Sequence, residues 1–175
     1  MDEERHWYAV DRELISREDA EAVCAAVVDV LRPVLRLARV DAVSDHTGLM
    51  PPSVASGEAA LRALGRQQRP RDRDPVMAVE VTLVDPEWAA FERYAPWSIN
   101  VDLLAEGEQQ VASLHDCGGS MTAALTDAEA VLLRELLLPR APLTPLVEVH
   151  ERRRQEKRVR RKQSLAALLR QVRRE

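Results

Sequence analysis

The chain has 175 residues, of which 46% are hydrophobic, 31% charged and 3% aromatic, which suits a buried core and excludes wholesale disorder. Its longest apolar run, residues 22–28, is too short to span a membrane, and two lone cysteines exclude a disulfide framework, so we expect a cytoplasmic protein without a transmembrane segment. The net charge of −4 is uneven, because residues 150–175 carry eleven Lys or Arg against three Glu (+8), and residues 1–149 carry fourteen against twenty-six acids (−12).

A short strand and an amphipathic helix are predicted at the start of the chain. Residues 6–10 are rich in aromatic and β-branched side chains, which favour strands. Ser16 has the position of an N-cap, and Asp19 brings an acid to the first turn. Apolar side chains then recur at three- and four-residue intervals, as on one face of a helix. Pro33 lacks an amide hydrogen, so we expect the helix to break near Leu31.

The pattern is weaker over residues 41–75. A short helix is predicted from Ser56 to Leu64, with Gly65 at its end because glycine is common just after a helix. Residues 66–75 mix charges with two prolines and are expected to form a mobile loop that is open to proteolysis or to a partner.

Alternation of apolar and polar residues predicts a sheet in the centre of the chain. Glycine turns and short loops separate the alternating segments, which favours antiparallel pairing. A short helix begins at Pro86, after the N-cap Asp85. The predicted strands are residues 76–84, 97–103, 109–116 and 121–125, in addition to residues 6–10.

A second strong helix is predicted after the last of these strands. Thr126 and Glu129 have the spacing of a capping box, and Pro139 ends the helix after Leu138. Apolar residues nearly encircle it, so we expect it to be well buried. They are Val131, Leu132, Leu133, Leu136, Leu137 and Leu138.

The last segment predicts a long basic helix that begins with Thr144 and Pro145 and continues to the end of the chain. At 1.5 Å per residue it would extend for roughly 45 Å. Its middle has no apolar face, and its end has a short apolar stripe. The candidate interaction residues are Arg152, Arg153, Arg154, Arg158, Arg160 and Arg161, followed by the stripe of Leu165, Leu168, Leu169 and Val172.

Four interpretations of this helix are open: an acidic protein groove or self-association, nucleic-acid phosphates, an anionic membrane surface, or a solvated helix that contacts the acidic body of the same chain or frays. It lacks the interleaved aromatic residues that stack on bases, which weakens the nucleic-acid interpretation. The apolar stripe is too short for firm membrane insertion. We therefore favour a protein partner or self-association through the helix.

Four of the six aromatic residues lie within ten positions, at Trp88, Phe91, Tyr94 and Trp97. Such a cluster is typical of an interface anchor, because Trp and Tyr are enriched in binding hot spots. The same cluster more often fills the core beside a sheet of small residues. We retain all four as interaction candidates beside the core interpretation.

The segment His115-Asp116-Cys117 combines side chains that serve in catalysis and metal binding. Adjacent residues on a strand point to opposite faces, so sequence neighbours in this segment are poorly placed to form a dyad. Cys117 with His46 would be a better pair for a nucleophile, but nothing in the sequence brings these two residues together. Neither a metal-ligand spacing nor a phosphate loop is present. We assign no catalytic, metal or cofactor residues, and a structural turn explains the segment.

Together these patterns predict an α+β fold: a small, mainly antiparallel sheet of three to five strands, two helices packed on one face, and a long basic C-terminal helix. Residues 1–143 form the acidic domain and residues 144–175 the basic tail. The predicted function is that of a non-enzymatic regulatory protein, an adaptor or an inhibitor, that acts through both parts. The alternatives are a nucleic-acid-associated protein that uses the tail and a small thiol enzyme centred on Cys117.

Overall fold

A computed structural model describes residues 4–10, 16–138 and 140–172, with side chains described as far as residue 160. Helices and strands alternate along the first half of the chain. The helices are α1 (Arg17–Leu31), α2 (Pro52–Gln68), α3 (Trp88–Tyr94), α4 (Asp127–Leu137) and α5 (Leu146–Val172). The strands are β1 (His6–Val10), β2 (Leu37–Val40), β3 (Val79–Thr82), β4 (Asn100–Leu104), β5 (Gln110–His115), β6 (Ser120–Leu125) and β7 (Leu143–Pro145).

The seven strands form one antiparallel sheet in the order β3-β2-β4-β5-β6-β1-β7. The predicted α+β class and antiparallel sheet are confirmed, but the predicted three to five strands are too few. Strands β2 and β7 were missed because they have four and three residues, too short for an alternation to be recognised. The predicted tail, residues 144–175, begins inside the sheet, since β7 contains Thr144 and Pro145 and pairs with β1.

The two faces of the sheet differ in polarity because neighbouring residues of a strand point to opposite sides. One face carries small and aliphatic side chains and belongs to the single hydrophobic core. The other face carries a row that crosses all seven strands and is mainly polar. In sheet order the row contains Glu80, Arg39, Asp102, Ser113, Thr122, Ala9 and Thr144.

Four helices, and not the predicted two, contribute side chains to the core on the apolar face of the sheet. Helices α1 and α4 pack against each other, and α2 packs against α3. Two of the predicted caps are confirmed. The Ser16 hydroxyl accepts the Asp19 amide at 3.4 Å, and Thr126 and Glu129 form the complete capping box of α4. Helix α1 also ends at Leu31, as Pro33 predicted. The predicted start of α3 is wrong: the helix begins at Trp88 after the N-cap Glu87, and the Asp85 carboxylate accepts the Thr82 amide at 2.6 Å instead of capping the helix.

Helix α2 is longer than its sequence pattern predicted. It runs through Gly65, so this glycine lies inside the helix and does not end it. The first three residues of the predicted loop 66–75 are helical as well. The side chain of Gln68, the last of these three, exchanges two hydrogen bonds with the backbone of Glu80, at 2.6 and 3.1 Å. These bonds connect the end of α2 to the edge strand β3.

Helix α4 is not well buried, contrary to the expectation from its composition. Only its inner side, which includes Leu133 and Leu137, lies in the core. Helix α4 packs on α1, β6 and β7. The large apolar residues left exposed are Val131, Leu132, Leu136 and Leu138.

Helix α5 begins at Leu146, directly after β7, and not at the predicted cap Thr144. The buried Val149 holds its first turn against the sheet, where α5 contacts β1 and β7. From residue 151 to residue 160 every side chain is exposed, so the helix leaves the body of the protein. Within the described part of the chain, no helix has both the length and the apolar character needed to cross a membrane.

Candidate functional site

The basic helix α5 is the most exposed of the predicted interaction surfaces. Five of its predicted arginines are exposed, and the same stretch contains the exposed Glu151 and Glu156. They are Arg152, Arg153, Arg154, Arg158 and Arg160. The helix backbone continues to Val172, but the remaining predicted residues lie outside the described side chains; these are Arg161, Leu165, Leu168, Leu169 and Val172.

A groove of about 600 Å³ lies where the first turns of α5 meet strand β1. Its walls include His6 and Trp7 from the strand and His150 and Arg154 from the helix. Trp7 is 38% exposed, so it is an aromatic side chain that the surface presents to solvent. Trp7 stands apart from the aromatic cluster in the sequence, and only the pairing of β1 with β7 places it beside α5.

On the open face of the sheet, Trp7 also borders a second cavity of about 520 Å³. Three strand residues form a chain of hydrogen bonds there. The Ser113 hydroxyl lies 3.0 Å from Asp102 Oδ1 and 2.8 Å from His115 Nε2. Gln110 Nε2 donates a further hydrogen bond to the same oxygen of Asp102 at 2.6 Å. These groups offer donors and acceptors to a polar ligand or to a protein surface.

The order of these hydrogen-bonded residues, Asp102, Ser113 and His115, does not activate Ser113 as a nucleophile. In a serine hydrolase the histidine lies between the serine and the acid, takes the hydroxyl proton and is oriented by the acid. Here Ser113 lies in the middle. Its single hydroxyl proton can go to Asp102 or to His115, and when Asp102 accepts it, His115 must donate to the serine oxygen. The arrangement therefore works as a hydrogen-bonded surface and not as a catalytic triad.

The four clustered aromatic residues lie inside the protein. Trp88, Phe91, Tyr94 and Trp97 are 6%, 0%, 0% and 4% exposed, and the first two rings pack at a centroid distance of 4.7 Å. Trp97 Nε1 donates to Glu21 at 3.1 Å. Burial, with a smaller contribution from the nearby Glu58, raises the pKa of Tyr94. These side chains fill the core and present almost no surface to a partner, which supports the core interpretation.

The segment His115-Asp116-Cys117 forms the turn between β5 and β6. Asp116 and Cys117 both have φ of 55°, and the Cys117 side chain is only 1% exposed, whereas His115 is exposed on the open face. The Cys117 sulfur lies 3.8 Å from the Ser44 hydroxyl, which accepts the amide of His46 at 3.1 Å. Both residues thus approach Ser44, but the side chain of His46 is exposed and that of Cys117 is buried.

Cys24, the second thiol, gives the protein an expected pH dependence. Burial, with smaller contributions from Glu92 and Glu21, raises the pKa of this thiol from 9.0 to about 12. The folded state therefore keeps a proton that the unfolded chain releases, and the free energy of unfolding should fall between pH 9 and 12, by roughly 4 kcal/mol in total. Urea denaturation at stepped pH should show this fall in the wild type and a shallower fall in Cys24→Ala. An equal dependence of the unfolding free energy on pH in the two proteins would contradict the prediction. Tyr94 adds a fall of the same sign in both proteins.

Among the described residues, no three His, Cys, Asp or Glu side chains lie together in a group that could hold a metal ion.

Comparison with known proteins identified no matching family model, no similar curated protein and no similar solved structure.

Proposed function

We propose that this protein is a non-enzymatic protein-interaction module, an adaptor or an inhibitor, that acts through its acidic body and its basic helix α5. The observation that carries the proposal is the run of ten exposed side chains, residues 151–160, on a helix that leaves the body. Because every side chain of this stretch is exposed, packing against the body stabilises the helix little there. A partner that covers the stretch would supply the missing contacts.

The charge distribution supports the same proposal. The tail carries +8 and the rest of the chain −12. Opposite charges on two parts of one molecule attract different partner surfaces and speed the encounter with them. Within this proposal we assign the protein to the cytoplasm, because Cys24 and Cys117 are free thiols in the interior.

The two alternatives fit the geometry less well. A thiol enzyme needs an accessible thiolate, but Cys117 is 1% exposed and the side-chain partner of its sulfur is the neutral Ser44 hydroxyl. A nucleic-acid function could use the exposed arginines of α5. The exposed aromatic residue Trp7, however, lies beside the first turns of α5 and is not interleaved with these arginines as a base-stacking residue would be.

The test removes positive charge from the exposed part of α5. The triple variant Arg153→Gln, Arg154→Gln and Arg158→Gln is expected to lose a co-purifying protein or its own self-association, at least about tenfold, because each neutralised contact lowers affinity. Affinity purification of the full chain from cells with mass spectrometry detects partners, and light scattering detects self-association.

A matched variant changes three other exposed arginines, with Arg66→Gln, Arg71→Gln and Arg73→Gln around the end of α2, and should bind as the wild type does. A wild-type chain that is a clean monomer without a co-purifying protein would overturn the proposal. Co-purified nucleic acid whose binding weakens steeply with salt and is lost in the α5 variant would favour the nucleic-acid alternative instead.

A further inference from the structure

The outer side of helix α4 exposes large apolar side chains to water. Val131 is 53% exposed, Leu132 and Leu136 are each 48% exposed, and Leu138, just after the helix, is 64% exposed. Leu132 and Leu136 are one helical turn apart, and Val131 lies beside them, so the side chains form one apolar patch. Single exposed leucines are ordinary, but four within eight residues indicate a contact surface. We call these four residues the α4 patch.

Acidic groups accompany the α4 patch. Glu135 is exposed between its members, one turn from Val131, and Asp127 is exposed in the first turn of the same helix. The exposed Arg134 offsets one of these charges locally. The body as a whole is acidic, since residues 1–149 carry −12. The α4 patch is therefore suited to an apolar surface that brings positive charge with it.

The end of helix α5 has this composition. Its apolar residues, Leu165, Leu168, Leu169 and Val172, follow the spacing of one helix face. Residues 157–172 contain six Lys or Arg and no acid. The apolar stripe spans eight residues, as the α4 patch does from residue 131 to residue 138, so both extend for about 10 Å. Matching length and opposite charge favour this segment as the occupant of the α4 patch.

The segment that fits the α4 patch cannot come from the same molecule without breaking its helix. Helix α5 is continuous from Leu146 to Val172, and every side chain from residue 151 to residue 160 is exposed. From His150 to Leu165 the helix extends for about 22 Å away from its attachment. A second copy of the chain can supply the segment with the helix intact.

We infer that the α4 patch of one copy binds the end of helix α5 of a second copy, and that two copies exchange these segments reciprocally. This inference rests on the proposed function, because it names the surface and the partner through which the basic helix acts. Apolar contact covers the leucines of both segments, and arginines of α5 meet Glu135 and Asp127 of α4. A reciprocal exchange closes into a two-fold symmetric dimer.

Two variants of the full chain test the inference, one for each half of the contact. Leu132→Glu with Leu136→Glu places charge in the α4 patch, and Leu165→Glu with Leu168→Glu places charge in the stripe of α5. Each is expected to raise the dimer dissociation constant at least about 100-fold, because a carboxylate must be desolvated in an apolar contact. Sedimentation equilibrium measures the constant. Circular dichroism shows whether the variant folds.

Mixing the two variants is the decisive measurement. The α4 variant keeps an intact α5 stripe, and the α5 variant keeps an intact α4 patch. An equimolar mixture is therefore expected to form a heterodimer through the one contact between these intact segments. A control with Leu49→Glu and Val84→Glu changes two other exposed apolar residues, which are 76% and 92% exposed, and should dimerise like the wild type.

The remaining outcomes overturn the inference in distinguishable ways. A monomeric wild type overturns it and leaves the proposed function to the co-purification test. If the α5 variant is monomeric and the α4 variant dimerises normally, the basic helix acts at another surface, so the proposed function stands and this inference fails. If the α4 variant alone is monomeric, helix α4 pairs with its own copy. If both are monomeric and the mixture does not associate, the two segments do not bind each other.

Discussion

Replacing Gly65 by alanine is expected to lower the free energy of unfolding by about 3 kcal/mol. A Cβ at this position would lie 2.1 Å from the carbonyl oxygen of Pro75 and 2.8 Å from Cγ2 of Val79. The first contact is with backbone, which cannot move aside as a side-chain tip can. Helix α2 would have to shift away from β3, and that cost exceeds the gain of about 1 kcal/mol that alanine brings to a helix interior.

Two other glycines provide matched controls for this substitution. At Gly57, also in α2, a Cβ would lie 3.0 Å from the Ala90 carbonyl oxygen, so tight contact and helix propensity should nearly cancel. At Gly48 no atom lies within 4 Å of the added carbon, and we expect a change below about 1 kcal/mol. Urea denaturation measures all three variants. A Gly65→Ala protein as stable as Gly48→Ala would show that α2 does not approach residue 75 so closely.

The elements that the sequence predicted well are those with local signals. The caps at Ser16 and Thr126 satisfy amides only three residues away, so the pattern and the contact are nearly the same information. Gly65 was misread for the opposite reason. A glycine that permits close approach of a distant carbonyl looks like a glycine that ends a helix, and only the tertiary contact with residue 75 distinguishes them.

The candidate surfaces were less predictable because they depend on strand pairing between distant residues. The chain Asp102-Ser113-His115 exists because β4 and β5 pair with Asp102 opposite Ser113. Trp7 reaches the same cavity only because β1 lies beside β6. The apolar outside of α4 was visible in the sequence as leucines around the whole helix, but the pattern could not distinguish burial in the body from a surface left open for a partner.

Arg17 is the residue through which the first turn of α1 holds the turn between β5 and β6. Its guanidinium donates to the carbonyl oxygen of Pro96 and to that of Cys117, the latter at 2.8 Å, and lies 4.6 Å from the Trp97 ring centroid. Cys117 is in the left-handed region of the backbone, which costs a non-glycine residue on the order of 1 kcal/mol. The two hydrogen bonds from one planar group help to keep this turn in place.

Replacing Arg17 by alanine should therefore lower the free energy of unfolding by about 3 kcal/mol, from two charged hydrogen bonds and one cation–π contact. Arg17→Lys keeps the charge but cannot span both carbonyls, so about half of the loss is expected to remain. Arg36→Ala is a suitable control, because the bond that Arg36 donates goes to the neighbouring Leu35 carbonyl at 2.9 Å and should cost below about 1 kcal/mol. Urea denaturation ranks the three variants. Equal stability of the lysine variant and the wild type would mean that charge alone, and not the two-carbonyl geometry, fixes the turn.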